Sequence, residues 1–227
     1  MIILTGASGG IGKAILPMLA TLDDVIAVYH SKCPDIEGLN GVALYQMDIT
    51  NENEVYKFVE LMKSKLTRPT LIHAAALSRD GLVANFDDEN WKQVIDVNLR
   101  GNFLLTKATL KLMISEKWGR VIHVSSVTGM RGIPGTIAYS ASKTGLIGMS
   151  KVLANEYARF GITSNVMILG YFNTGLIETL SEQMRSKIIG SIPSRQLGDP
   201  QNIVNAIDFI MKSEYVNGSA ISLDGGI

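Results

Sequence analysis

A tyrosine, a lysine and a serine are the residues of this 227-residue sequence best suited to acid–base chemistry. Tyr139 and Lys143 lie four positions apart, so on a helix they share one face. A free tyrosine titrates near about pH 10, and a neighbouring ammonium favours the phenolate and lowers the pKa. Ser126 follows an apolar run and can donate its hydroxyl to an oxygen on which charge develops. The three residues predict proton transfer to a carbonyl oxygen, although an incidental helix-surface pair and a turn-capping serine are alternatives.

A glycine-rich stretch near the amino terminus predicts a phosphate-binding turn. Thr5-Gly6-Ala7-Ser8-Gly9-Gly10-Ile11-Gly12 follows an apolar run and opens a helical pattern. Gly6 lets the chain turn tightly, Gly10 lets the backbone approach a pyrophosphate, and Gly12 lets the helix pack closely on the strand. Because N–H groups at a helix start attract phosphate, the predicted ligand is a dinucleotide; the alternative is an ordinary glycine-rich turn.

Short β-branched runs alternate with longer helical patterns along the whole chain. This alternation predicts an α/β protein: a single Rossmann-type domain over 1–227, with a doubly wound, seven-stranded parallel sheet and helices on both faces. The predicted strands are Ile2 to Thr5, Val25 to His30, Val42 to Met47, Thr70 to Ala75, Arg120 to Ser125, Ile162 to Leu169 and Ala220 to Leu223. The predicted helices are Gly10 to Ala20, Glu52 to Lys65, Asp88 to Ser115, Tyr139 to Arg159, Gly175 to Lys187 and Pro200 to Met211.

Composition and charge exclude several other classes of protein. The 21 basic residues balance 21 acidic ones, so there is no general attraction to nucleic acid. A single cysteine cannot form an internal disulfide, and 46% apolar residues argue against disorder. The longest apolar stretch, Leu71 to Leu77, is far shorter than the roughly 20 residues that cross a bilayer. Met1 is followed at once by apolar residues rather than a basic leader, so we expect a cytoplasmic protein without membrane contact.

The motifs resemble those of the short-chain dehydrogenase/reductase family over essentially the whole chain. The glycine spacing Thr-Gly-x-x-x-Gly-x-Gly is followed, in the family's order, by Asn98, Ser126, Tyr139 and Lys143. Within the family, the stretch 119–151 and Asp199-Pro200 are most similar to 3-oxoacyl-(acyl carrier protein) reductases. The resemblance implies the Rossmann fold and an oxidoreductase that uses a nicotinamide dinucleotide.

The resemblance also implies a role for each site residue. Tyr139 is the proton donor, Lys143 lowers its pKa and holds the nicotinamide ribose, Ser126 polarises the carbonyl, and Asn98 supports a relay water. Asn98 as a helix-interior bonding residue is the alternative for that position. The expected cofactor-binding residues are Gly6, Ser8, Gly9, Gly10, Ile11, Gly12, His30, Ser31, Lys32, Asp48, Ile49, Ala75, Tyr139, Lys143 and Thr174.

Two segments depart from the family's pattern. His73-Ala74-Ala75-Ala76 stands where Asn-Asn-Ala-Gly is usual, and Leu169-Gly170 stands where Pro-Gly is usual. Both segments lie beside the expected cofactor site, so both put its backbone geometry in question. The three histidines lack metal-ligand spacing, so we expect no metal, and we expect His73 and His123 to be core residues with satisfied ring nitrogens.

The end of the second predicted strand indicates which nicotinamide is used. Tyr29-His30-Ser31-Lys32 has no carboxylate that would bind a ribose 2′-OH and repel a 2′-phosphate. Lys32 and the Ser31 hydroxyl could instead contact that phosphate. The pattern favours NADP(H), with NAD(H) possible; the alternative is that Lys32 is merely a solvated loop charge.

Substrate and partner signals are weaker. The loops 128–135 and 170–195 are expected to line the substrate site, with Met130, Tyr171 and Phe172 joining Ser126, unless these side chains are packing residues.

Residues 100–159 hold nine basic and two acidic residues. The excess could attract an acidic acyl carrier protein or a phosphorylated substrate, with Lys117 and Arg159 the first residues to test, although such charges are usually solvated helix faces. In the family the two longest predicted helices form a dimer interface and tetramers are common, so we expect a homo-oligomer.

The sequence therefore predicts an NADP(H)-dependent oxidoreductase that reduces a carbonyl to a secondary alcohol, with a 3-oxoacyl thioester as the candidate substrate. Two other functions stay open. One is an NAD-dependent alcohol or sugar dehydrogenase, and the other is a catalytically idle dinucleotide-binding regulator.

Overall fold

Seven parallel strands form the centre of the computed structural model, which describes residues 1–227 except for the side chains of Leu176 and Glu178. The strands are β1 (Ile2–Thr5), β2 (Val25–Tyr29), β3 (Val42–Gln46), β4 (Thr70–His73), β5 (Gly119–Ser126), β6 (Ile162–Leu169) and β7 (Ala220–Leu223). Their order in the sheet is β3-β2-β1-β4-β5-β6-β7. All seven predicted strands are confirmed to within two residues at each end, and so is the doubly wound α/β fold.

Eight α-helices pack around this sheet. They are α1 (Gly10–Leu19), α2 (Glu52–Met62), α3 (Asp88–Ile95), α4 (Gly101–Glu116), α5 (Val127–Arg131), α6 (Ile137–Tyr157), α7 (Glu182–Ser191) and α8 (Pro200–Lys212). Short 3₁₀ turns cover Val83–Asn85, Ala158–Phe160 and Gly175–Thr179, and a π turn covers Asp96–Arg100.

Apart from shifts of up to three residues at their ends, the helices differ from the predictions in three places. The long helix predicted from Asp88 is divided into α3 and α4 by the π turn, without a break in the chain. The helix predicted from Gly175 is a 3₁₀ turn followed by α7, because Leu180 leaves helical geometry and Ser181 caps α7 by accepting from Met184 N. The short helix α5 was not predicted; it is capped by Ser126, whose hydroxyl accepts from Thr128 N at 3.2 Å.

Burial on both faces explains why β1 and β2 are almost continuously apolar, whereas β5 and β6 also bury polar side chains. Every residue of β1 and β6 is buried, whereas the edge strands β3 and β7 are partly exposed. One core cluster lies between the sheet and the apolar faces of α1 and α8, and another lies between the sheet and α2 and α4. Each buried Ile, Leu or Val contributes about 1.5–3 kcal/mol, so these clusters hold the helices on the sheet.

The strand order reverses between β1 and β4, and this reversal positions the candidate site. The connections that follow these two strands leave in opposite directions, so a crevice opens at their carboxyl ends. Thr5 joins the two strand ends, since its hydroxyl accepts from Ala75 N at 3.2 Å. The glycine-rich stretch and Ala75 therefore meet at one edge of the sheet.

Both departures from the family's pattern are accommodated by the backbone. Among the described residues, the non-glycine positions with positive φ are Arg68, Lys117 and Arg195, so Ala76 needs no left-handed conformation. Leu169 is a buried member of β6 and pairs with Leu223 of β7. Gly170 is required, because a Cβ there would lie 2.7 Å from the Cα atom of Asp224.

In the part of the chain that the structure describes, no helix combines the length and the apolar character needed to cross a bilayer.

Candidate active site

A groove of about 810 Å³ opens at the carboxyl ends of β1, β2 and β4. Its volume lies within the range of roughly 300–1,000 Å³ that small-molecule and cofactor sites occupy. Ten of the residues predicted to bind a cofactor line it: Gly6, Ser8, Gly9, Gly10, Ile11, His30, Ser31, Asp48, Ile49 and Ala75.

The glycine turn builds the floor of this groove. Gly6 has a φ of +68°, and a Cβ there would lie 2.6 Å from the backbone N of Ala75, so no side chain fits. A Cβ on Gly12 would lie 2.1 Å from Gly6 O, which explains the close packing of α1 beneath the turn. Gly9 supplies no side-chain cap to α1, and Gly10 and Ile11 line the groove. The first-turn N–H groups of α1 are thus available to an anionic ligand.

Gly10 lines the groove and also packs against a distant segment. A Cβ on Gly10 would lie 2.5 Å from the Cα atom of Gly175, and Thr174 donates its hydroxyl to Gly10 O at 2.9 Å. The absent side chain therefore makes room for the backbone of Gly175, and the predicted role of Gly10 beside a pyrophosphate stays a prediction. Gly9 is the more open position, because its Cβ would meet Gly6 O at 3.3 Å.

Five predicted cofactor residues lie outside the groove lining: Gly12, Lys32, Tyr139, Lys143 and Thr174. Ala76, expected beside the cofactor, lines the groove as well, and so do Thr50, Arg79 and Lys92, which the sequence did not indicate. Thr50 and Arg79 follow the ends of β3 and β4, so the rule that ligands bind at the carboxyl ends of parallel strands could have found them. Lys92 comes from α3, and nothing in the sequence pattern marked it.

Tyr139 and Ser126 lie close together. Tyr139 lies in the first turn of α6, and Ser126 is the last residue of β5. Burial raises the pKa of Tyr139, and the Ser126 hydroxyl lowers it by less, so the net shift is upward. The phenol therefore keeps its proton at neutral pH.

Lys143 lies one turn further along α6 and is almost fully buried. Its Nζ atom is 5.5 Å from the centroid of the Tyr139 ring and donates to Val124 O at 2.7 Å. Burial lowers the pKa of Lys143 to about 8. In the structure the causes of the shift in the Tyr139 pKa are burial and Ser126, so the expected effect of Lys143 on the phenol stays a prediction.

Asn98 is buried inside the π turn, and its side chain forms hydrogen bonds to two other segments of the chain. Its Oδ1 atom accepts from Leu77 N at 2.7 Å, and its Nδ2 atom donates to Leu77 O at 2.9 Å and to Ser142 Oγ at 3.0 Å. The backbone oxygen of Asn98 accepts from Asn102 Nδ2 at 2.9 Å. The side chain thus ties the segment after β4 to α6, which fits the alternative of a structural bonding residue.

The two core histidines differ from the prediction in one respect. His73 and His123 are both fully buried, as expected, and burial, with a smaller effect of neighbouring positive charge, lowers the pKa of each. However, His73 Nδ1 and both ring nitrogens of His123 have no hydrogen-bond partner. The strand alignment that buries these rings supplies too few polar neighbours to satisfy them.

The predicted substrate residues are not gathered in one place. Met130 is exposed on α5, whereas Tyr171 and Phe172 line a second cavity of about 500 Å³ near the carboxyl ends of β6 and β7. Phe172 is also buried in the core against Gly198. The side chain of Glu178, in the predicted substrate loop, lies outside the described residues.

The basic stretch 100–159 is less accessible than its composition indicated. Lys143 and Arg120 are buried, and Arg120 donates to the backbone oxygens of Gly119, Gly161 and Met211. Lys117 and Arg159 precede β5 and β6, so they lie at the amino edge of the sheet. The length of α6, about 30 Å, separates that edge from Tyr139 of the same chain. Metal-ligating side chains form no cluster of three among the described residues.

A groove at the switch point of a doubly wound sheet, an uncapped helix start and a phenol beside a serine and a lysine define a dinucleotide-binding oxidoreductase. Comparison with known proteins is more specific. The family model described as short chain dehydrogenase matches residues 1–185, and the chain belongs to that family. The family implies a nicotinamide dinucleotide, and the glycine turn and the groove fit one.

Relatives of this chain match over nearly its whole length. 3-Oxoacyl-(acyl-carrier-protein) reductases are 34% identical in Rickettsia felis, 35% in Escherichia coli and 36% in Thermotoga maritima. Each alignment covers 99% of this chain and 95–96% of the relative. The crystal structure of a candidate gluconate dehydrogenase from Agrobacterium tumefaciens has a TM-score of 0.91 and 24% identity, covering 100% of this chain and 94% of that one. That likeness supports the fold.

Proposed function

We propose that this oxidoreductase uses NADPH to reduce the 3-oxo group of an acyl thioester borne by an acyl carrier protein. The observation that carries the proposal is the grouping of Tyr139 with Ser126, whose hydroxyl acts to lower the pKa of the phenol, and with the Lys143 ammonium, which lies 5.5 Å from the centroid of the phenol ring. The names of the relatives, matched end to end, indicate the substrate class.

Different residues of the groove would contact different parts of a bound dinucleotide. The helix start at Gly9, Gly10 and Ile11 would face the pyrophosphate, and Asp48 and Ile49 would lie at the adenine end. When bound, the nicotinamide supplies a hydride to the carbonyl carbon. The lining residues otherwise orient the cofactor and exclude water from it.

The phenol of Tyr139 acts as the general acid of the proposed reaction. Burial raises its pKa, so the proton is held until the carbonyl oxygen becomes basic. The Tyr139 O–H bond then breaks and the O–H bond of the product alcohol forms. Ser126 donates a hydrogen bond to the same oxygen, and the positive charge of Lys143 stabilises the phenolate that Tyr139 becomes.

The preference for NADP(H) rests on the end of β2. His30 and Ser31 line the groove and carry no negative charge at neutral pH, so a 2′-phosphate would meet no repulsion from them. Lys32 is exposed just beyond them and would add attraction rather than a buried contact. An NAD-dependent dehydrogenase is the alternative for the same site.

Several expectations accompany this proposal. Lys117 and Arg159 lie at the amino edge of the sheet, opposite Tyr139 of the same chain. An acyl carrier protein docked at these residues would therefore have to deliver its substrate to the active site of another subunit. The exposed apolar side chains of Phe103 on α4 and Val152 on α6 support a subunit interface through these helices. A homodimer or tetramer, a cytoplasmic location and a single domain over 1–227 stay predictions.

Steady-state assays with the purified protein test the proposed function. NADPH absorbance is followed with a 3-oxoacyl thioester on acyl carrier protein, the same acyl group on a small thiol, simple ketones and sugars. We expect the carrier-linked thioester to have the highest kcat/KM and NADPH to be preferred over NADH. Turnover of sugars or alcohols with NAD alone would replace the proposal by its alternative, and no turnover of any of them would indicate an idle binding protein.

A further inference from the structure

Two stacked imidazoles lie in the interior beside Lys143, outside the groove lining. His73 of β4 and His123 of β5 are paired in the strand register, with ring centroids 5.0 Å apart and planes 10° apart. Both are fully buried. In this arrangement a stacked pair of neutral rings occupies the centre of the sheet where apolar side chains would be expected.

This interior region contains more polar atoms than protein partners for them. His73 Nε2 lies 3.0 Å from Thr106 Oγ1, while His73 Nδ1, both nitrogens of His123 and Asn102 Oδ1 have no partner. Leaving a buried polar group unpaired destabilises a protein substantially, and such groups in folded proteins are usually bridged by internal water. The region is therefore suited to bind water.

His123 lies on the face of β5 that supports α6. Side chains alternate along a strand, so His123 and Ser125 share one face. Ser125 donates its hydroxyl to Lys143 O at 2.9 Å, and Lys143 Nζ donates to Val124 O, between the two. The same proximity is reflected in the pKa values of His73 and His123, which the positive charge of Lys143 helps to lower.

The Lys143 ammonium needs neutral acceptors. An ammonium has three N–H donors, and one of them is directed at Val124 O. The ion pairs among the described side chains do not include Lys143. The titratable groups around it are Tyr139 on its own helix, His73 from β4 and His123 from β5, while α4 places the uncharged Thr106 against His73.

We propose that His123, supported by its stacked partner His73, is a positioning residue for Lys143. Its neutral imidazole accepts a hydrogen bond from the ammonium through one internal water, and this bond holds the positive charge near the Tyr139 ring. The consequence for turnover rests on the proposed function, whereas the link between His123 and Lys143 does not. The effect on the reaction is indirect, since His123 does not line the groove.

Three variants test the link. His123→Leu removes the acceptor, His123→Asn keeps a hydrogen-bonding amide, and Ile122→Val is a matched control whose side chain is equally buried but belongs to the core cluster on the other face. The titration of Lys143 is followed by NMR of lysine labelled at Cε, and that of Tyr139 by NMR of tyrosine labelled at Cζ. Neither measurement needs a substrate.

We expect the pKa of Lys143 to change only in the variant that removes the hydrogen-bond acceptor at position 123. In His123→Leu the Lys143 pKa falls by about one unit, because a buried ammonium that loses a hydrogen bond deprotonates more readily. In His123→Asn and Ile122→Val it stays near that of the parent. If a 3-oxoacyl thioester is turned over, His123→Leu lowers kcat about tenfold with little change in KM, and shifts the pH profile of kcat, whereas Ile122→Val leaves both unchanged.

An unchanged Lys143 titration in folded His123→Leu overturns the proposal, as does an equal shift in Ile122→Val. If His123→Leu does not fold, His123→Met fills the same space with a flexible apolar chain and is judged by the same criterion. A parent protein that reduces no carbonyl with either nucleotide would overturn the proposed function alone, since the titrations would still decide the link.

Discussion

The Nζ atom of Lys143 lies 5.5 Å from the centroid of the Tyr139 ring, and its hydrogen bond goes to the sheet rather than to the phenol. The two residues are one turn apart on α6, so the helix alone sets their proximity. The backbone oxygen of Val124 then sets the direction of the ammonium. Burial raises the pKa of Tyr139, while the hydrogen bond to Val124 O holds the Lys143 ammonium near the phenol ring.

Replacement of Tyr139 tests the general acid. Tyr139→Phe removes the phenolic proton and keeps the ring, so we expect kcat to fall about 10²–10⁴-fold, the usual contribution of a general acid. Cofactor affinity, measured by fluorescence titration, should change little. Tyr215→Phe, at a fully exposed position, is the control and should keep full activity. A Tyr139→Phe enzyme with parental kcat would disprove the mechanism.

The pH dependence of stability should report the buried Lys143. Its pKa is lowered from 10.5 to about 8 by burial, so between these pH values the unfolded chain holds a proton that the native protein lacks. Stability therefore rises with pH across this window, and below about pH 8 the buried charge destabilises the protein by on the order of 3 kcal/mol. Lys143→Met should be inactive yet more stable than the parent at pH 7, with the difference gone by about pH 10.5.

Urea unfolding monitored by circular dichroism at pH 7, 9 and 10.5 measures this difference. Lys151→Met, at an exposed position of the same helix, should show no such pH-dependent gain. A Lys143→Met protein less stable than the parent at pH 7 would mean that the hydrogen bond to Val124 outweighs the burial of charge.

A carboxylate at the end of β2 should reverse the nucleotide preference. Ser31→Asp places a negative charge in the groove, so we expect kcat/KM with NADPH to fall about tenfold or more while that with NADH changes less. Lys32→Ala, which removes only an exposed charge, should have a smaller effect that weakens at high salt. If Ser31→Asp leaves the ratio of the two efficiencies unaltered, the 2′-hydroxyl end of the cofactor does not lie at Ser31.

Glycine substitutions should separate the phosphate turn from ordinary helix positions. In Gly12→Ala the new Cβ would lie 2.1 Å from Gly6 O, so the backbone must shift. We expect a loss of about 1–3 kcal/mol of stability and weaker dinucleotide binding. Gly148→Ala on α6 meets nothing within 4 Å and should stabilise the protein by up to about 1 kcal/mol. Urea unfolding and calorimetric titration with NADPH provide the measurements; equal stability of Gly12→Ala and the parent would contradict the packing described.

The sequence predicted most elements because their signals are local. A strand buried on both faces is usually rich in apolar residues, so the run Ile2-Ile3-Leu4 was recognisable without any knowledge of its neighbours. The π turn around Asn98 and the 3₁₀ turn at Gly175 were not predicted, since both are set by what packs against them. Gly175 in particular is held against Gly10, which lies far away in the chain.

Some features of the candidate site were likewise predictable from the sequence, and others depend on the tertiary structure. Sequence alone determined the family, the glycine turn and the order of Ser126, Tyr139 and Lys143, because four-residue helical spacing and strand ends are properties of short segments. Tertiary structure alone decided that His73 and His123 stack, that Arg120 is buried and that Lys117 lies at the opposite edge from Tyr139. Strand register and the direction of a parallel sheet bring distant residues together or separate them, and no local pattern records either.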